Sequence, residues 1–289
     1  MLYTDNGTGY EEASLVNYCP TATLDQNIGY LDSSFAVKNV ASISQAEIGT
    51  LILCNEELMV YQSYDDVTKI LTVKRAALDT VPKPHLQGAA FYFYDSFSAF
   101  DSEQYVLSEV INAKVLTTTP SGIQRLGDVT ALSVEMNARA IRPYPPANVK
   151  IDDVYYKESL DANQHIFNLT WSHRNRTQQT GGNILGYFDS GVALETGTTY
   201  LVELFEVDEV GVETQILNLN VGNVSNYNID TTGSLSKLFK IQLTSIRDGY
   251  RSFQSFTHLI KTFDKTVKFI FDESEIYTPP AANAVNFIL

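Results

Sequence analysis

The sequence predicts an all-β protein: a β-rich first domain followed by a β-sandwich. Three observations predict this. Short apolar or β-branched runs recur along the chain, separated by turn residues at roughly the 8–12 residue spacing of barrels and sandwiches. Aromatics are plentiful as Tyr (17) and Phe (15) against a single Trp, and such side chains favour pleated surfaces. No alternation of strand and helix patterns appears, which argues against doubly wound and TIM-type folds.

The elements follow in chain order. "GTLILCNEELMVYQSY" holds two apolar runs around the turn-like "CNEE". In "KILTVKRAALDT", Ile70, Thr72 and Val73 suggest a strand that ends at an Arg75–Asp79 loop. "GAAFYFYDSF" is short and aromatic, and "EQYVLSEVINAKVLTTTPSG" is β-branched until Thr119-Pro120-Ser121-Gly122. "DVTALSVEMNARAI" alternates loosely. The best helix candidate is "SISQAEIGTL", with Ser42 or Ser44 as a cap.

Pro143, Pro145 and Pro146 then interrupt a proline-poor chain. Proline fixes φ and disfavours helical geometry in the residue before it. The cluster reads as a semi-rigid spacer at a domain junction, holding two bodies apart. Beyond it "ANVKIDDVYY" reads as a strand. In "HIFNLTWSHRN", Phe167, Leu169 and Trp171 share one face, and Ile166, Asn168 and Thr170 the other. "GTTYLVELFEVDEVGVETQILNL" is a hairpin around Gly211, and a second hairpin turns at Arg247-Asp248-Gly249-Tyr250, where Asp-Gly is a strong hairpin signal. These strands, with one early Trp as a core plug, fit an immunoglobulin-like or fibronectin-III-like sandwich. The expected organisation is a β-rich domain over residues 1–144, the sandwich over 145–264, and a C-terminal strand segment over 265–289 that leads to a further module.

Net charge is −14, with both sides of the proline cluster acidic. Neither side offers the basic field for nucleic acid or for an anionic membrane. No stretch reaches the ~20 apolar residues of a membrane helix, so no membrane insertion is expected. Cys19 and Cys54 lack metal spacing and read as free thiols of a reducing cytosol. The start is acidic and polar, unlike a signal peptide, and enters strand-like pattern so soon that the chain reads as a piece of a longer polypeptide.

Reactive constellations are weak. His85 could act as a base oriented by Asp79. No nucleophile elbow accompanies it, however, and a loop in which Arg75 pairs with Asp79 explains the same residues. His165 and His173 would lie about 27 Å apart on a strand and cannot share a metal. Adjacent carboxylates such as Glu56-Glu57 point to opposite faces of a strand and cannot work as a pair. No catalytic residue, cofactor or metal site is expected. Arg174, Arg176, Arg247 and Arg251 could cluster at one end of the sandwich and grip an acidic partner or a glycan, joined by Tyr187 and Tyr250. They could equally be solvated turn residues.

Several strings resemble one family. "LTVKRAALDTVPKPHLQGAAFYFY" is similar to the Arg-Gly-x-x-Asp-Thr … His-x-x-Gly-Ala segment of the tail-hub proteins of long-tailed bacteriophages and gene-transfer-agent particles. "ARAIRPYPPANVKIDD" resembles the proline junction that follows it, and "LTWSHRNRTQQT" a strand of the next, fibronectin-like module. "RDGYRSFQ" and "YTPPAANAVNFIL" resemble later parts. The likeness runs from about Leu71 to Leu289. Ala76 departs from it, standing where the family tends to have glycine, which would allow a positive φ.

The resemblance implies a structural virion protein of the tail tip, made in the host cytoplasm. It implies a homotrimeric hub, with a β-barrel-like hub domain over residues 1–144, whose partners are the tail tube, a distal tail protein and a fibre. It carries over no active site. The alternative is a tail-tip adhesin that binds a host-surface glycan or protein receptor. A cell-wall hydrolase is a more distant reading.

Overall fold

A computed structural model describes residues 1–161, 163–178 and 183–262. The expected C-terminal strand segment, 265–289, lies outside the described residues. The regular structure among the described residues is strand, apart from short 3-10 turns. β1 (Leu2–Asp5) and β2 (Glu11–Ser14) open the chain as an antiparallel pair.

Six strands then close a barrel: β3 (Thr21–Leu24), β4 (Ser34–Ala41), β5 (Leu51–Cys54), β6 (Glu57–Asp65), β7 (Ile70–Lys74) and β8 (Ala90–Tyr92). The order around it is β3-β4-β7-β6-β5-β8, and β8 returns to β3. Alternation sets the interior: Ala22 and Leu24, Phe35 and Val37, and Leu71 and Val73 all point inward and are buried. Phe35 stacks on Phe91, and Tyr61 meets Phe93 edge-on.

The segment expected to be helical forms only a 3-10 turn, Ile43–Gln45. Ser42 is left-handed (φ 56), makes no side-chain cap, and Gly49 is also at positive φ. Too few residues remain between them to nucleate a helix. Ile43 and Ala46 instead pack against the barrel.

After the barrel come β9 (Val110–Val115), the two-residue strands β10 (Thr118–Thr119) and β11 (Gly122–Ile123), and β12 (Leu132–Glu135). β9 and β12 join the first two strands in a sheet ordered β12-β9-β1-β2. Residues 1–144 therefore carry a barrel and a separate sheet built from their two ends.

The sandwich is built from β13 (Ala147–Ile151), β14 (Ile166–Ser172), β15 (Thr199–Val207), β16 (Glu213–Gly222), β17 (Asn226–Asp230), β18 (Leu238–Arg247), β19 (Tyr250–Arg251) and β20 (Phe256–Lys261). One sheet runs β13-β14-β17. The other runs β16-β15-β18, with β19 and β20 both on β18. It is a fibronectin-type, immunoglobulin-like sandwich. Phe167, Leu169 and Trp171 face its core as the alternation requires, and Trp171 packs edge-on against Tyr200. Asp248 and Gly249 both take positive φ, as a tight Asp-Gly hairpin needs.

The spacer expected at the proline cluster is corrected by the structure. Pro143, Pro145 and Pro146 are all buried, and they lead straight into β13. The barrel is not held away from the sandwich. Ala76, from the loop after β7, belongs to the sandwich's own apolar core.

Candidate functional site at the barrel–sandwich seam

The densest polar constellation centres on Glu57. The β5–β6 turn leaves Asn55 at positive φ and starts β6 at Glu57, whose side chain has no solvent exposure. Its neighbour Glu56 points outward and pairs with Lys83. Arg75, also fully enclosed, reaches Glu57 through both nitrogens of its fork: Nε donates to Oε1 at 2.7 Å and Nη2 to Oε2 at 2.9 Å. The same guanidinium donates to the carbonyls of Gly29, Asp32 and Lys83. The Glu57 carboxylate also accepts from the backbone amides of Ala76 and Lys83. Two charges thus satisfy five backbone groups from two loops.

His85 completes the cluster. Its Nε2 lies 2.8 Å from Glu57 Oε2, and its Nδ1 lies 3.0 Å from the Asn55 amide nitrogen and 3.5 Å from Cys54 Sγ. With Nε2 donating to the carboxylate, Nδ1 is the acceptor for Asn55. Burial opposes ionisation of Glu57, but hydrogen bonds from His85 and Arg75 and the charge of Arg75 hold its carboxyl below the ordinary value.

The order Cys54–His85–Glu57 is that of nucleophile, base and orienting acid. Its chemistry is not. Cys54 is fully buried, and burial, reinforced by the Glu57 charge, pushes its thiol up to about 12. The expected pairing of Arg75 with Asp79, and of Asp79 with His85, is also corrected. Asp79 instead takes a bidentate grip from Arg139, at 2.6 and 2.7 Å, and Arg139 lies over the Phe253 ring.

The second half of the site is the seam itself. The sequence points to Tyr187 and Arg174 as members of an exposed contact surface, and the structure buries both. They lie where the loop after β7 meets the sandwich. The Tyr187 amide donates to the Arg75 carbonyl at 2.7 Å. Arg174 donates to Ala76 O at 2.9 Å and Leu78 O at 3.0 Å. These carbonyls belong to a strained loop, since Ala76 (φ 48) and Leu78 (φ 54) are left-handed although neither is glycine. Burial without a carboxylate partner lowers Arg174 to about 10. Gly186 sits so tightly on this loop that a Cβ would come within 2.8 Å of the Lys74 Cβ. Tyr30 of the barrel stacks on Tyr156 of the sandwich, with ring centroids 4.0 Å apart.

Of the remaining arginines, Arg176 and Arg247 face the chain's own connecting segment, while the Arg251 side chain is half exposed. Arg176 and Arg247 both pair with Glu195, whose side chain is 5% exposed. They also donate to the carbonyls of Ala140 and Ile141, just before the prolines. Arg251 pairs with Glu203, and its carbonyl accepts from Arg142, which approaches the Tyr250 ring. Arg176 and Arg247 do meet at one end of the sandwich, but what they hold is the connection to the barrel.

This wiring has a pH consequence. Burial pushes Glu195 up, but the hydrogen bonds of Arg176 and the charges of Arg176 and Arg247 outweigh it, so its carboxyl also lies below the ordinary value. For both Glu57 and Glu195 the folded value lies below the unfolded one. Their stabilisation is present above the ordinary glutamate value of 4.5 and is lost as pH falls from there through the folded values. Thermal unfolding followed from pH 7 downward should show a flat melting temperature until about that point and a steep fall below it. A melting temperature that rises on acidification would contradict this assignment.

No family model matches the chain, and no curated protein matches it. Among solved structures, the crystal structure of chicken CNTN1 FN1-FN3 domains is similar with a TM-score of 0.27 and 10% identity. The match covers 84% of this chain and 66% of that one.

Proposed function

We propose that the chain is a structural component of a bacteriophage tail tip, a hub piece that links the tail tube to host-contacting parts. One observation carries this reading. The residues whose string resembles the tail-hub segment are spent on internal wiring: Arg75 and His85 on Glu57, Asp79 on Arg139, and Thr80 on the carbonyl of Ala77. A motif used in this way sets shape, and shape is what an assembly protein contributes. The sheet β12-β9-β1-β2 offers support. Val115, Leu132 and Val134 lie on one of its faces and stay at least half or nearly half exposed, and the outer edge of β12 is unpaired among the described residues. In the proposed ring a neighbouring copy covers that surface.

The test is electron microscopy of particles from cells that express the gene, labelled with an antibody raised against the barrel. Label confined to the tail end away from the head is the expected result. Label on the head or along the shaft, or particles without label, would overturn the proposal.

A further inference from the structure

The barrel has a groove that the seam does not use. It lies where β4 parts from β7: their pairing stops at Ala36, and the rest of β4 runs on beside the β6–β7 turn. The space is about 1000 Å³, at the upper end of the range for small-molecule sites. Its walls are chemically uniform in one respect, since their charges cancel. Lys38 pairs with Asp25 at 2.8 Å and Lys69 with Asp66 at 2.7 Å. An anionic or cationic ligand would therefore meet no uncompensated partner. Of the uncharged polar groups, the Tyr64 hydroxyl donates to Asp66. The Asn39 amide, the Ser42 and Ser44 hydroxyls and the Tyr61 hydroxyl line the groove, and none has a hydrogen-bond partner among the described residues. The half-buried Tyr64 supplies an aromatic surface beside them.

The backbone adds a second observation. Asn39 (φ 50), Ser42 (φ 56) and Lys69 (φ 58) are left-handed, although none is glycine, and all three line this groove. This conformation is sterically disfavoured for a residue with a Cβ, least so for Asn.

From these features we infer that the groove binds a neutral oligosaccharide: sugar hydroxyls exchange hydrogen bonds with Asn39, Ser42, Ser44 and Tyr61, and an apolar sugar face lies against Tyr64. The site stands independently of the tail-tip reading.

Isothermal titration of the full chain with maltotetraose, chitotetraose, mannotetraose and an anionic heparin tetrasaccharide tests this. At least one neutral tetrasaccharide should bind, and the anionic one should not. Tyr64→Ala and Asn39→Gly should each weaken binding at least about tenfold, or about 1.4 kcal/mol. Asn39→Gly keeps the left-handed backbone while removing the amide, so it reports on the contact even if Tyr64→Ala fails to fold. Thr214→Ala, on the exposed edge of the sandwich, should bind as the parent does. Binding of none of the neutral sugars, preference for the anionic one, or affinity unchanged in Asn39→Gly would overturn the assignment.

Discussion

Glu57→Ala is expected to cost about 3–5 kcal/mol of folding stability, the range found when one partner of a buried ion pair is removed. Small domains have about 5–15 kcal/mol in total, so the variant should be at the edge of folding. The reason lies in what remains. Arg75 would be left charged and enclosed, and the amides of Ala76 and Lys83 would lose their acceptor. Exchanging the whole cluster for apolar side chains should not rescue it, although buried ion pairs often tolerate that exchange. Here the guanidinium also satisfies three carbonyls, and no apolar side chain can replace those bonds. Denaturant unfolding checks both points. A loss below about 1 kcal/mol for Glu57→Ala would mean that water or a neighbour takes over its bonds.

Arg174→Ala is expected to cost about 3 kcal/mol and, more tellingly, to split unfolding into two steps. The substitution removes a fully enclosed side chain, with the cavity cost that implies. It also orphans the carbonyls of Ala76 and Leu78 at about 1–3 kcal/mol each, partly relieved if the loop relaxes. Relaxation is favourable because both residues are left-handed. The contact that ties barrel to sandwich would then be the one that gives way. Arg174→Lys should recover little, because a single ammonium cannot reproduce the fork that spans both carbonyls. Calorimetry should show one transition for the parent and two for Arg174→Ala. A single, merely shifted transition would place the coupling elsewhere, for example in the grip of Arg176 and Arg247 on Ala140 and Ile141.

Strands are the legible part of this sequence. The alternation of β14, the Gly211 hairpin and the Asp248-Gly249 turn are local signals, and local signals survive folding. The seam is illegible for a physical reason. The pattern puts Glu56 and Glu57 on opposite faces, and they do lie so, with side-chain exposures of 75% and 0%. What the pattern omits is that a carboxylate can lie on a buried face. Glu57 opens a run in which every residue through Tyr61 is buried, and the continuous apolar stretch Leu58–Tyr61 is the available signal. Its partners Arg75 and His85 arrive from β7 and the loop beyond. Likewise, Arg174 and Tyr187 sit in stretches that look like solvated loop, but Tyr187 enters the sandwich's own core and Arg174 lies against the loop after β7. The proline cluster has the composition of a spacer, but composition does not say whether its apolar rings face water or a neighbour.

The seam contacts join barrel and sandwich into one rigid body. Spin labels at Ser63→Cys on the barrel and Thr214→Cys on the sandwich, in a Cys19→Ser background, test it directly by pulsed electron resonance. Both positions are exposed, whereas Cys54 is buried with its thiol pushed up to about 12 and should stay unlabelled. The seam predicts one narrow distance distribution, unchanged by added salt because the seam contacts are buried. A broad or two-peaked distribution would mean that the two bodies swing about the prolines, and it would contradict a rigid seam.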